Sequence, residues 1–321
     1  MHFPVSGVDT HPLLPPLVSL VISTFTSMGG VSGAFLLLPF QVSVLRFTSP
    51  AVSSTNLVFN IVAIPSGVYR YLREGRLNWP VALVVILGTL PGLLFGALIR
   101  INWLPDPTRF KVFVGCVLLY IGGRLFYDHT PWARRRQARI QEFEARVQQR
   151  LEQVLKQAGH TTGQSLPAAA RVRTAQVSWR QVTFEFLGEN FAFHAPALFL
   201  LALGVGLISG TYGIGGGAII APFLASVFQL PIYTIAGAAL LSTFITSVAG
   251  VGIYYAIAPW YPAQAVRPDL LLGALFGVGG LLGMYLGARL QKFIPGTLIR
   301  LGLGAVIIAL ALRYIGGYLL K

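Results

Sequence analysis

Gly210, Gly213, Gly215, Gly216 and Gly217 crowd into eight residues of an apolar run, and Pro222-Phe223-Leu224 follows. A plain membrane span has no use for such a cluster. Glycine lets the backbone leave the helical path, which frees amide groups at a depth where no water is available to pair them. A poorer copy, Gly30-Val31-Ser32-Gly33-Ala34 with Pro39-Phe40, lies 183 residues earlier. Two interrupted hydrophobic segments at matching positions in two halves of a chain point to a transport site.

The remaining composition agrees with a membrane setting. Of 321 residues, 55% are hydrophobic and only 11% charged, and the mean hydropathy is +0.69. These values exclude an ordinary soluble two-domain enzyme. Lys and Arg outnumber acids 24 to 10, but they fall in loops between apolar runs, as the positive-inside rule expects, so no nucleic-acid partner is expected. The single cysteine, Cys116, excludes an intrachain disulfide and a cysteine metal cluster. All five histidines lie outside the apolar cores or at their edges, so neither a metal nor a haem is expected and no cofactor is assigned.

Continuous apolar runs cover approximately 51–70, 80–100 and 107–127, then 232–257, 270–289 and 297–319. Each is long enough to cross a hydrocarbon core of ~30 Å. The glycine-broken stretches 16–45 and 195–230 divide instead into pieces of roughly 12 to 16 residues, which suits re-entrant hairpins or discontinuous spans. The halves repeat: Ala51 and Gly67-Val68-Tyr69 match Ala236 and Gly252-Ile253-Tyr254, and Gly88, Gly92 and Gly96 match Gly279, Gly283 and Gly287. Glycines four apart let neighbouring backbones approach closely, here within one subunit rather than along a dimer seam.

Charge sets the expected orientation. Arg70, Arg73 and Arg76 mark a cytoplasmic loop, the stretch from Arg124 to Arg180 is more basic still, and Trp260-Tyr261-Pro262 suits the opposite face, with both termini outward. The fold expected is all-α: a polytopic membrane protein of two inverted repeats, each a glycine-broken hairpin plus three transmembrane helices. The first repeat takes residues 1–127 and the second 195–321. Between them, 128–194 forms a basic cytoplasmic linker. Within it, Ile140, Phe143, Val147, Leu151 and Val154 define an amphipathic helix over 131–158, capped at Thr130. Such a helix can lie on the inner membrane face, or serve a homodimer or a cytosolic partner. Residues 159–176 read as a flexible stretch.

No Asp or Glu lies inside an apolar core, which counts against a cation pump or proton relay. Hydroxyls, amides and backbone N–H groups remain, and a helix beginning within the membrane presents unpaired N–H groups and a positive dipole end suited to an anion. The glycine run has neither the Gly-Lys-Ser/Thr ending of a phosphate loop nor the strand–turn–helix setting of a dinucleotide fingerprint. Candidate anion-binding residues are therefore Gly30, Ser32 and Gly33 in the first break and Gly213, Gly215, Gly216 and Gly217 in the second. Thr55, Asn56 and Asn60 join them from the adjoining helix, with Thr243 and Thr246 as counterparts in the second half. Two alternatives stand beside this: glycines used only for tight helix crossing, and hydroxyls bonded to their own backbone.

Gly213-Ile214-Gly215-Gly216-Gly217 with Pro222-Phe223-Leu224 resembles the glycine box of the TauE/SafE sulfite exporter family, also called the toluene-sulfonate uptake permease family. Ala51 to Asn60, Gly67-Val68-Tyr69 and Gly75-Arg76-Leu77-Asn78-Trp79 resemble its next helix and basic loop. The likeness covers about 16–127 and 195–318. It implies a non-enzymatic, multi-pass inner-membrane carrier whose partners are the lipid bilayer and a small sulfur-containing or related anion. An anion channel, or a membrane-anchored anion sensor signalling through 131–158, would use the same residues. Two departures stand out: the first box is poorer in glycine, and the linker is long.

Overall fold

The computed structural model describes residues 1–29, 31–127, 142–154, 171–290 and 296–319. Its helices are α1 (Leu14–Gly29), α2 (Ala34–Ser43), α3 (Ala51–Ala63), α4 (Pro65–Glu74), α5 (Trp79–Asn102), α6 (Pro107–Tyr127), α7 (142–154), α8 (Ala195–Tyr212), α9 (Gly217–Ser226), α10 (Ile232–Ile257), α11 (Leu270–Leu290) and α12 (Gly296–Leu319). Two small antiparallel sheets accompany them: β1 (His2–Phe3) with β2 (Val8–Asp9), and β3 (Arg173–Val177), β4 (Gln181–Phe186) and β5 (Glu189–His194) in that order.

Among the described residues six helices, α5, α6, α8, α10, α11 and α12, are long and apolar enough to cross a membrane, and α3 and α4 reach that length only together, with a bend of 42° between them. That bend corrects the reading of 51–70 as one run. Pro65 has no N–H to continue the ladder and its ring crowds the preceding turn, so α3 stops at Ala63 and α4 starts anew. The basic residues Arg70 and Arg73 lie on α4 rather than in a loop, and the helix ends at Gly75 in the left-handed region (φ 70°). The broken stretches are also less even than expected: 16 and 10 residues for α1 and α2, 18 and 10 for α8 and α9. α8 alone can therefore cross.

Packing follows a two-fold pattern between the halves. α1 lies along α11, α8 lies along α5 (the counterpart of α11), α6 packs on α12, and α3 on α10. The matched glycines make these crossings. A Cβ on Gly92 or Gly96 would strike the α8 backbone at Leu203 and Leu207, and one on Gly279 or Gly283 the α1 backbone at Pro16 and Leu20. Close packing within one chain is thus their role, as the spacing suggested.

The linker differs most from its sequence reading. Residues 173–194 form a three-stranded sheet whose inward face is Val182, Phe184 and Phe186, so 173–176, read as flexible, are strand. The described part of the amphipathic helix is 142–154; Thr130, Ile140 and 159–170 lie outside the described residues. Its apolar stripe rests on the chain itself: Phe143 meets Phe191 edge-on at 6.0 Å, while Leu151 and Val154 pack with Leu187 and Tyr233. Among the described residues, the part of that stripe from Phe143 to Val154 is thus packed against the chain's own sheet and α10.

Candidate functional site

The break between α8 and α9 is built from the carbonyls that α8 leaves unpaired at its end. Tyr254 Oη donates to Gly210 O (2.8 Å), Ser53 Oγ to Thr211 O (2.8 Å), Asn56 Nδ2 to Gly213 O (3.0 Å) and Asn60 Nδ2 to Ile214 O (2.7 Å). α3 therefore supplies three of these donors to the opposite half's break. Gly213 and Gly215 sit at φ 87° and 82°, where a side chain would be strained, and the turn lets α9 start in a new direction.

Fixing the carbonyls also fixes the donors. In a trans peptide the N–H points opposite to the C=O. With Gly213 O and Ile214 O held on α3, the N–H groups of Ile214 and Gly215 face away from it. Among the described residues these two N–H groups meet no acceptor. Gly217 opens α9, so its N–H has no intrahelical partner either. Gly216 N–H donates to Thr246 Oγ1 (3.0 Å). Residues 211–217, Asn56, Asn60, Thr243 and Thr246 are all buried.

Space around the box is tight. A Cβ on Gly216 would come within 2.8 Å of Thr89 Oγ1, one on Gly217 within 2.6 Å of Thr243 Oγ1, and one on Gly215 within 2.5 Å of Thr243 Cγ2. A Cβ on Gly217 would also overlap Ala239 O. Close packing therefore accounts for part of the glycine content, and the site is closed in this conformation.

The other expected residues divide. Thr243 Oγ1 donates back to Ala239 O (2.9 Å), leaving its methyl against Gly215. Thr55 turns elsewhere: its hydroxyl accepts from Asp269 N–H (2.9 Å) before α11, which removes it from the site. In the first break, Ser32 Oγ accepts from Ala34 N–H (3.3 Å) and Gly33 packs on Ser23 and Phe59. Gly30 lies outside the described residues. The two breaks are bridged by Asn56, whose Nδ2 also reaches Ala34 O (3.2 Å), and by Tyr212, whose hydroxyl donates to Phe35 O (2.8 Å).

Sequence reading missed Gln41, Thr89, Tyr212 and Tyr254. Gln41 Nε2 donates to Asn56 Oδ1 (3.4 Å), holding that amide in register. A glutamine within ten otherwise apolar residues was the available signal, as was a threonine inside the 80–100 run.

A family model described as Sulfite exporter TauE/SafE matches residues 16–314. The chain belongs to that family. Its members are membrane exporters of sulfite and related anions, and the multi-pass helical fold fits that activity. No curated relative and no solved structure matches the chain. Family membership spans both repeats and the linker, so the break with its α3 supports lies inside the matched region.

Proposed function

We propose that the protein moves sulfite or a small organosulfur or organic anion across the inner membrane by alternating access, with the anion seated at the α8–α9 break. The observation that carries this reading is the pair of peptide N–H groups at Ile214 and Gly215, turned away from α3 and left without acceptors beside the opening of α9. Asn56 and Asn60 act as positioning residues that aim these donors. Gly216, Gly217, Thr243 and Thr246 form the wall on the α10 side, and Ser32 and Gly33 the approach from the first break. One helix terminus stabilises an anion by only ~0.3–2 kcal/mol, so several converging donors are required. No catalytic group or cofactor is called on.

The packing pattern, in which each half's first helix is carried by the other half, supports alternating access as the mode of transport. The repeats run inverted, and the linker faces the cytoplasm. Uptake into proteoliposomes tests the cargo, using sulfite, thiosulfate, sulfoacetate, taurine and simple carboxylates. Saturable flux with counterflow for at least one anion is expected; flux of cations only, or unsaturable flux, overturns the carrier reading. For the topology, single cysteines at Ser178 and Pro262 in a Cys116→Ser background are labelled on intact cells. Reaction at 262 alone is expected, and the reverse pattern overturns the arrangement.

A further inference from the structure

Arg100 stands in the last turn of α5 and is fully buried. Among the described residues no carboxylate pairs with it; the ion pairs present join His2 to Asp9, Arg70 and Arg76 to Glu74, and Arg150 to Glu189. Asp269, the other buried charged side chain, is occupied by Ser6 and by the N–H of Leu272. The guanidinium instead rests on neutral groups. It donates to Leu104 O and to Thr48 O (2.9 Å), and its carbon lies 3.8 Å from the centre of the Phe110 ring. Nε is buried with no partner, and so is Ser49 Oγ next along the loop from Thr48.

A cation at a helix C-terminus gains from the dipole, which explains a surface arginine there but not one buried without a counter-ion. Uncompensated intramembrane charge is costly and marks ion pathways. The position relative to the break fits a pathway. Tyr254 packs in one cluster with Ala97 and Ile101, which flank Arg100 on α5, and the Tyr254 hydroxyl holds Gly210 O at the end of α8. The loop of Thr48 and Ser49 meets residues 264–266 through Ala51 N–H on Ala265 O (2.9 Å). Arg100 thus occupies the layer between the break and the face that carries the Trp260–Pro262 loop.

We infer that Arg100 is a second ligating station for the transported oxyanion, on the side of the break away from the linker. In the closed conformation the carbonyls of Thr48 and Leu104 occupy the guanidinium's donors, and the anion takes their place when this side opens. A planar guanidinium suits a sulfite, sulfonate or carboxylate group, which it grips through two parallel hydrogen bonds. This rests on the anion reading of the break.

The test uses sulfite and sulfoacetate as probes on purified protein and in proteoliposomes, comparing wild type with Arg100→Gln, Arg100→Lys and Ser49→Asp. Arg100→Gln should raise the KM by roughly tenfold to a hundredfold, the loss expected for a charge-assisted hydrogen bond. Arg100→Lys should retain part of the affinity, since the charge survives and the fork does not. Ser49→Asp supplies a carboxylate beside the arginine; it should abolish anion binding while raising the unfolding temperature, and it carries the test if Arg100→Gln fails to fold. A lowered unfolding temperature with wild-type KM in Arg100→Gln, or anion transport undisturbed by Ser49→Asp, overturns the inference. Wild-type protein that moves no anion would instead overturn the reading on which it rests.

Discussion

At an offset of 183 residues α2 falls on α9 over all ten positions, and the left-handed Arg46 (φ 56°) falls on Gln229 (φ 53°). The hydrogen bonds repeat too: Phe47 N–H to Gln41 O matches Leu230 N–H to Leu224 O. The breaks ahead of these helices are nonetheless finished differently. In the first, Val31 N–H returns to Thr26 O (2.9 Å) and the Ser32 hydroxyl takes Ala34 N–H. In the second, Ile214 N–H has no such return and Gly215 has no hydroxyl to offer Gly217. Its carbonyls are propped from α3 and α10 instead. The two copies share the path of the chain and differ at Val31 and Ile214, whose N–H is paired in the first and, among the described residues, without an acceptor in the second.

Exchanging residues between the copies is the strongest way to break this comparison. The repeat aligns Ala34 with Gly217, so Gly217→Ala looks harmless by sequence. Its Cβ would nevertheless overlap Ala239 O and approach Thr243 Oγ1 at 2.6 Å, pressing α9 off α10. Overpacking of this kind costs about 1–3 kcal/mol and more where backbone must move, so we expect loss of folded protein or a large fall in unfolding temperature. The reciprocal Ala34→Gly should cost only ~0.5–1 kcal/mol. Equal effects in thermal unfolding would show that the two breaks are interchangeable.

The spans, the likeness of α2 to α9, the breaks and the glycine crossings were legible because each is written in hydrophobic run length or in small-residue spacing. What escaped was decided by partners distant in sequence. Whether Asn56 faces a ligand or Gly213 O depends on how α3 crosses α8, which no local pattern encodes. Thr55, one residue away, points to Asp269 instead. Tyr69 and Tyr254 align in the repeat, yet the first is exposed and the second fully buried against Gly210 O. The β4 strand was a different kind of miss: Val182, Phe184 and Phe186 alternate with polar residues at the strand period, a signal present in the sequence and overlooked within a basic linker.

The props themselves give an intermediate effect. Asn60→Ala leaves Ile214 O buried without a donor, and about 1–3 kcal/mol is expected for an unsatisfied buried group. Because that carbonyl also sets the direction of Gly215 N–H, anion affinity should fall together with stability. Asn56→Ala frees both Gly213 O and Ala34 O and should act on both breaks, where Asn60→Ala acts on one. Binding measured on folded protein checks this: unchanged affinity in both variants would return Asn56 and Asn60 to a purely structural role.

The smallest effect expected concerns the start of each half's third helix. α3 is anchored by backbone, Ala51 N–H on Ala265 O, whereas the first N–H of α10, at Ile232, is held by Glu144 Oε1 (2.7 Å) from α7. Burial pushes the Glu144 carboxyl above its ordinary value of 4.5, and the bond from Ile232 N–H only partly offsets that. A raised carboxyl pKa means that the docked state favours the neutral form. Its contribution to docking is complete below the ordinary value and is lost as pH rises through the docked value. Hydrogen exchange at 232–236 should therefore quicken from acid toward neutral pH beyond the intrinsic rate change, while exchange at 51–55 shows no such excess. Glu144→Gln keeps the accepting oxygen without the charge, so its protection should be independent of that titration and at least equal to wild type at neutral pH. Glu144→Ala removes the cap and should weaken docking by about 0.5–2 kcal/mol. Matching pH profiles for wild type and Glu144→Gln would show that the linker holds α10 through the Phe186–Tyr233 stack (5.6 Å) and its apolar neighbours, with the carboxylate a bystander.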